Sequence, residues 1–342
     1  MREEKQLKAY IKRIEYYLPE TELHNEELAA IYPEWTADKI YEKTGISSRH
    51  IAGKNETATD LAEKACEKLF ANAPEEKDSV NFLIFMTQSP DYKLPPSACI
   101  LQNRLGLSKR IGAFDVNLGC SAYIYGLATA KALIVSGMAK NVLLVTGETY
   151  SKYINPFDKS TRTLFGDGAT ATLISTSGRL SIDEIDYGTD GAGFDKLIVP
   201  AGMSRLPCSE ETKTEQTDEN GYVRSQENIF MDGAGIFSFT IEAVPDTVSR
   251  LLEKSGRSKD DVELFVFHQA NKFMLSYLKK KLRIPDEKFY IDLETRGNTV
   301  SSSIPIALKD AAENGRLPER GNVMAVGFGV GLSWGSAMLR AE

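Results

Sequence analysis

Three residues in this chain have the type and setting to do chemistry. Cys120 sits in FDVNLGCSAYIYG, where a strand over 113–116 runs into Gly119 and a helix begins just past the thiol. The positive end of a helix dipole favours a thiolate, so this setting predicts a lowered pKa and a nucleophile. Gly119 allows a sharp turn, and the small Ser121 and Ala122 are expected to leave room for a substrate. His268 closes the apolar run LFVFH and opens HQAN; an imidazole titrating near neutrality suits such a loop. Asn298, thirty residues later in ETRGNTVSSSIP, offers an uncharged amide. The glycines of VGFGVGLSWG can bring a backbone N–H to an oxyanion. Each residue also has a purely structural reading: core filler, bonded core imidazole, turn or helix cap, close backbone packing. Cys66 and Cys99 are read as core residues, Cys208 as solvent-accessible, and His24 and His50 as surface or locally bonded.

The elements that must position these groups repeat. The strand pattern VNFLIFMTQS from Val80 recurs as VELFVFHQAN from Val262. A helical stretch follows each, ending in Leu105-Gly106-Leu107 or Leu282-Arg283-Ile284. A second strand then runs to Gly119-Cys120 or Gly297-Asn298. SAYIYGLATAKALIVSG and TVSSSIPIALKDAAENG read as helices, NVLLV and NVMAV as strands, and FGDGATATLIS and GVGLSWGSAML as closing turns into strands. The order is kept at offsets of about 180 residues, which marks a duplication. Alternating strands and helices predict mixed, mostly parallel sheets covered by helices on both faces. The halves divide at 1–177 and 178–342, and a pseudo-twofold puts their equivalent loops on one central crevice, the default site in open α/β sheets. The stretch 182–235 lacks a counterpart in the first half, and within it the polar run near 207–225 predicts an exposed, mobile loop.

The 342 residues suit two domains or one duplicated one. Forty-one Lys and Arg against 48 Asp and Glu leave a net charge of −7, against bulk-charge binding to nucleic acid or an anionic membrane. No stretch is long and apolar enough to span a membrane, and the start MREEKQLKAY has no secretory pattern. Four scattered cysteines without ligand spacing point to free thiols in a reducing cytoplasm and to no metal site.

Taken together, YLPE, EKTGISSRH, PSACILQ, the cysteine after FDVN, FGDGA, MDG with AVP, HQAN, GNT with SIPIAL, and WGSAML run almost end to end through the chain. In these the chain resembles the thiolase-superfamily condensing enzymes, most closely β-ketoacyl-acyl-carrier-protein synthase III. The resemblance implies a duplicated thiolase-like α/β fold and a homodimer. It implies a nucleophile at Cys120 that takes an acyl group from a thioester. It also implies neutral donors at His268 and Asn298 for the enolate released by malonyl decarboxylation, an arrangement a carboxylate would oppose. The oxyanion of acyl transfer falls to the N–H groups of Cys120 and Val330. Neither metal nor organic cofactor is implied; the substrates are carrier-protein or CoA thioesters.

Leu94, Asn271 and Phe328 are the implied pocket residues. Leu94 would reach across the dimer, and 143–145 would lie at the twofold interface. The implied carrier-docking face holds Lys272, Lys279, Lys280 and Lys281, which an acidic acyl carrier protein would complement. Here the family's docking arginine is replaced by Phe273. Val330 stands where a glycine is usual. Lys39 and Lys152 replace the family's adenine-clamping tryptophan and arginine, with Trp35 four residues from Lys39, which favours a carrier protein over CoA as donor. An alternative keeps the acyl-cysteine but passes the acyl group to an alcohol or amine. A hydroxymethylglutaryl-CoA-synthase-like reaction would need a glutamate base, for which Glu148 is the candidate. A non-catalytic partner subunit would lack the cysteine, and a papain-like hydrolase would lack the duplicated pattern.

Overall fold

The computed structural model describes residues 7–71 and 73–342. The apolar runs form ten strands of one sheet: β1 (Tyr10–Tyr17), β2 (Phe82–Met86), β3 (Gly112–Val116), β4 (Asn141–Glu148), β5 (Gly168–Ser175), β6 (Leu180–Thr189), β7 (Val262–Phe267), β8 (Phe289–Tyr290), β9 (Gly321–Gly329) and β10 (Ser333–Ala341). Their order is β8-β7-β9-β10-β6-β1-β5-β4-β2-β3. Adding five to any strand number in the first half gives its mirror in the second. In each half the three outer strands are parallel and the two inner ones antiparallel. The halves are continuous because β1 and β6 pair at their starts, Tyr10 with Ser181 and Ile11 with Leu180.

Six helices matter for the site: α1 (Ala37–Thr44), α2 (Ala58–Ala71), α3 (Ala122–Val135), α4 (Gly233–Ser255), α5 (Lys272–Leu282) and α6 (Ser303–Glu313). The α3 sequence AYIYGLATAKALIV is apolar on nearly every side, the signature of a helix with no solvent face. It packs on β2, β4 and β5 of one half and on β6, β9 and β10 of the other. Its mirror α6 touches β1, β5, β7 and β9. These two helices form the middle layer, with α2 outside the first half-sheet and α4 outside the second. The β4 run is buried past its first residue and β5 throughout, as expected for strands covered on both faces. β1–β5 lie before residue 177 and β6–β10 after it.

Three expectations change. The stretch 182–235 does have a partner at its start, because β6 is the mirror of β1. The polar stretch beyond is exposed as expected, and it carries local structure. Gln216–Thr217 pairs with Val223–Arg224, Thr212 is buried, and Asn155 Nδ2 donates to Glu215 Oε1 at 2.6 Å. Residues 143–145 cannot join a second sheet, because β4 is already bonded on both sides, to β2 and β5. The open edges are β3 and β8. No helix among the described residues is long and apolar enough to cross a membrane.

Candidate active site

Cys120 lies between the end of β3 and the first turn of α3, with its side chain buried. β9 runs directly against it. A Cβ on Gly329 would fall 2.7 Å from the Cys120 Cβ and 2.8 Å from Sγ, so only glycine permits this approach. Burial pushes the Cys120 thiol up to about 12. The Val330 N–H opposes that rise, the nearby Glu148 carboxylate adds to it, and the Cys120 N–H opposes it again. The lowered pKa expected from the helix dipole is therefore reversed. A dipole contributes about 0.3–1 kcal/mol at a terminus, whereas desolvating a charge costs several. Ser121 and Ala122 face the core rather than a substrate. Both are fully buried, and Ser121 Oγ bonds Ser333 Oγ at 2.7 Å.

His268 follows β7, with its backbone N–H on the Val326 carbonyl at 2.7 Å. Phe328 stands edge-on to the ring at 5.4 Å, and Nδ1 lies 2.7 Å from Ser303 Oγ. Ser303 Oγ also accepts the Gln269 N–H at 3.3 Å. In the tautomer that leaves Nδ1 to accept the Ser303 hydroxyl proton, the ring proton sits on Nε2. Burial pushes this imidazole down to about 3, with the Val300 carbonyl opposing. At neutral pH it is an uncharged N–H donor.

Asn298 is clamped against the segment 164–166, just before β5. Its N–H bonds the Leu164 carbonyl at 2.8 Å and its carbonyl takes the Gly166 N–H at 3.0 Å. Gly297 allows this through φ +67 and a hypothetical Cβ only 2.8 Å from the Leu164 oxygen. Asn298 Oδ1 accepts the Val300 N–H at 2.9 Å, leaving the NH2 as a donor. Val300 links all three groups. Its side chain packs in one apolar cluster with Cys120 and Phe165, its N–H holds Asn298, and its carbonyl faces His268. It does this at φ +54, a left-handed conformation that a β-branched residue rarely adopts. Such strain costs about 1–3 kcal/mol and clusters at functional sites.

The chain is similar to known proteins along nearly its whole length. A family model described as 3-oxoacyl-[acyl-carrier-protein (ACP)] synthase III matches residues 114–191, and its C-terminal companion matches 252–341. The β-ketoacyl-[acyl-carrier-protein] synthase III of Clostridioides difficile is 36% identical over 336 residues, covering 97% of this chain and 98% of that one. The chain belongs to the β-ketoacyl-[acyl-carrier-protein] synthase III family. A crystal structure of a 3-oxoacyl-(acyl-carrier-protein) synthase III superposes with a TM-score of 0.94 at 48% identity, covering 97% of this chain and 99% of that one. A 3-oxoacyl-(acyl-carrier protein) synthase from Burkholderia xenovorans gives 0.89 at 38%, covering 98% and 95%. The duplicated thiolase-like α/β fold is thereby established for this chain.

For this synthase III family member, the remaining expected site residues divide. Leu94 is 81% exposed, on the loop after β2. Asn271 caps α5, its Oδ1 taking the Met274 N–H at 2.8 Å, so a pocket role is left only to its NH2. Phe328 is 1% exposed and braces His268 rather than lining an open pocket. Of the docking lysines, Lys279 is neutralised by Asp286 at 2.6 Å and Lys281 donates to the Ile241 carbonyl at 2.6 Å. Lys272 lays its stem on Gly45 and its ammonium over the Tyr41 ring. Lys280 is exposed, with no ion pair described. Trp35 lies between the Lys39 and Lys43 ammoniums at 5.8 and 5.4 Å, while Lys152 bonds the Gly53 and Lys54 carbonyls.

Glu148 is fully buried and pushed up to about 8 by desolvation. It accepts from the Gln88 N–H, Ser89 Oγ and Ser301 Oγ, which makes it a tie between two loops rather than a free base. Cys66 is buried as expected, Cys208 is exposed, and Cys99, read as a core residue, is exposed because it lies on the outer face of a short helix. A cleft of about 500 Å³ opens between β1, α2 and α6, lined by Lys12, Arg13 and Arg179 but by no cysteine or histidine. Among the described residues no cluster of three or more His, Cys, Asp or Glu could hold a metal ion. Sequence reasoning missed Ser303 and Val300. Three consecutive serines gave no sign of which one faces the histidine, and backbone handedness leaves no mark on a valine.

Proposed function

We propose that this chain is a β-ketoacyl-acyl-carrier-protein synthase III that condenses a Cys120-bound acyl group with a malonyl thioester. Cys120 Sγ attacks the donor thioester, the donor thiol leaves with the cysteine proton, and the oxyanion formed on the way is held by the Cys120 and Val330 N–H groups. The malonyl carboxylate then departs as CO2, its bonding pair passing into an enolate. His268 Nε2–H and the Asn298 NH2 bind that enolate oxygen. The enolate carbon attacks the acyl-cysteine, and the Cys120 thiolate leaves and is reprotonated. The observation that carries this reading is the pair of neutral donors, each fixed by a buried hydrogen bond, His268 through Ser303 and Asn298 through Val300. Neutral donors stabilise a developing anion without trapping it as a permanent ion pair. The chemistry as written requires no metal or organic cofactor.

Incubating the protein with an acetyl thioester and malonyl-acyl carrier protein should release CO2 and yield the acetoacetyl carrier in equal amount. Acyl-cysteine formation without malonyl decarboxylation would transfer the reading to the alcohol or amine acyltransferase. Docking of an acidic carrier protein at α5, the cytoplasmic location and the homodimer belong to the same reading. Lys280 and Lys272 supply charge there, while Lys279 is already spent. The dimer edge we propose is β3, whose five residues are half-buried in one chain and whose outer side is unpaired. Light scattering at micromolar concentration should give about twice the chain mass, and a stable monomer would rule the β3 pairing out.

A further inference from the structure

Arg296 stands two residues before Asn298, and its guanidinium lies between two carboxyl groups. Nη1 donates to Asp292 Oδ1 at 2.9 Å, and Nη2 lies 2.6 Å from Asp310 Oδ2. The side chains of Arg296, Asp292 and Asp310 are 23%, 14% and 5% exposed. Asp310 Oδ1 also accepts the Tyr16 hydroxyl at 3.0 Å, which ties it to β1 in the other half. One cation thus serves two acids. Burial holds Asp292 above the usual carboxylate range, Arg296 opposes that rise, and the facing Asp310 adds to it. Without its cation this pair would carry uncompensated buried charge.

The two carboxyl groups are anchored on different sides of the site. Asp292 lies in the loop after β8, and Asp310 lies on α6. Asp310 follows Ser303 by about two helical turns, so the two share a face of α6. Ser303 Oγ lies 2.7 Å from His268 Nδ1 and accepts the Gln269 N–H at 3.3 Å. The Gln269 side chain reaches the other way, its Oε1 accepting the Asp292 N–H at 2.7 Å. These contacts close a ring that runs from Ser303 through Gln269, Asp292, Arg296 and Asp310 and back along α6. His268 is held to the ring by Ser303. Asn298 directly follows Gly297, whose N–H bonds the Leu293 carbonyl at 2.9 Å inside the same loop. Arg296 is the ionic link of the ring.

We propose that Arg296 is a positioning residue for malonyl decarboxylation, drawing Asp292 and Asp310 together and so setting the spacing between the Asn298 amide and the His268 ring. Those two donors must meet one enolate oxygen, and a misplacement of about 1 Å can cost on the order of 100-fold. Arg296 itself touches no reacting atom. The proposal rests on the reading that His268 and Asn298 bind the enolate, in which acylation of Cys120 uses neither.

Two rates test it: adduct formation on Cys120 by intact mass with an acetyl N-acetylcysteamine thioester, and CO2 release from malonyl-acyl carrier protein by the acetylated enzyme. Arg296→Met keeps the stem and removes the charge. It should lower kcat for CO2 release about 10- to 100-fold, with the KM for the malonyl carrier and the acylation rate within about twofold of wild type. Arg296→Lys restores the charge without the planar fork and should recover part of the loss. Asp310→Leu opens the ring at α6, should show the same one-sided loss, and decides the matter if the methionine variant does not fold. CO2 release within twofold of wild type in Arg296→Met or Asp310→Leu would overturn the proposal. Equal losses in acylation and CO2 release would do the same, as would a lysine variant as slow as the methionine one. Failure of the underlying reading looks different, because His268→Ala and Asn298→Ala would then lose acylation or keep CO2 release, whatever Arg296→Met does.

Discussion

Cys120→Ala removes the acyl adduct completely, while Cys66→Ala, Cys99→Ala and Cys208→Ala retain it. The expectation follows from place: Cys120 alone among the four faces the His268 and Asn298 segments through Val300, and only its Sγ is met by the Val330 N–H. A pH signature accompanies it. The thiol is pushed up to about 12 and the imidazole down to about 3, so at pH 7 both are neutral and no thiolate–imidazolium pair is stored. Thiolate is the attacking form, and its fraction grows tenfold per pH unit below the pKa. Alkylation of Cys120 by iodoacetamide should therefore rise about tenfold per unit from pH 7 to pH 10 without a plateau. A plateau near pH 7 would mean that the helix dipole outweighs burial after all.

His268→Ala and Asn298→Ala separate the two halves of the reaction. An imidazole pushed down to about 3 is a weak base, suited to donating a ring N–H rather than to taking the thiol proton. Both variants should still acquire the acyl group on Cys120. Both should lose malonyl decarboxylation by about 10²- to 10³-fold, the usual effect of one missing oxyanion donor. Ser303→Ala should act through the histidine, costing about tenfold, the worth of one hydrogen bond to a tautomer. The chain has only three histidines, so 15N-histidine spectra can follow the ring directly. They should show Nε2–H in the native protein and a tautomer mixture in Ser303→Ala. Loss of acylation in the His268 and Asn298 variants would remove the enolate role from both residues.

The sequence made the duplication legible because order survives even where single pairings look weak. Val80 and Val262, or Asn141 and Asn322, persuade only as members of one series. Cys120, His268 and Asn298 stood out as candidates by type and setting, and their roles came only with the family resemblance. The thiol's protonation was not legible, because the helix start can be read from local spacing while burial depends on β9, two hundred residues away. The free charge on α5 was overcounted for the same reason: Asp286, in the following turn, takes up Lys279. The expected dimer strand was misplaced because an apolar run such as NVLLV reads the same at an edge and in the interior. Only the pairing of β4 with both β2 and β5 distinguishes them.

Val300 makes the site a mechanism with a single fastener. The two peptide units that flank one residue and its isopropyl group hold the amide of Asn298, face the ring of His268 and share the apolar cluster of Cys120. A displacement of this backbone therefore moves all three reacting groups in step, and no one of them can drift alone. The left-handed twist at φ +54 works like the preload of a clamp spring, tension held by the surrounding fold that keeps play out of the joint. Glycine at 300 would ease the twist but empty the buried isopropyl site and free the unfolded chain, so the jaws would go slack without a stability gain to show for it.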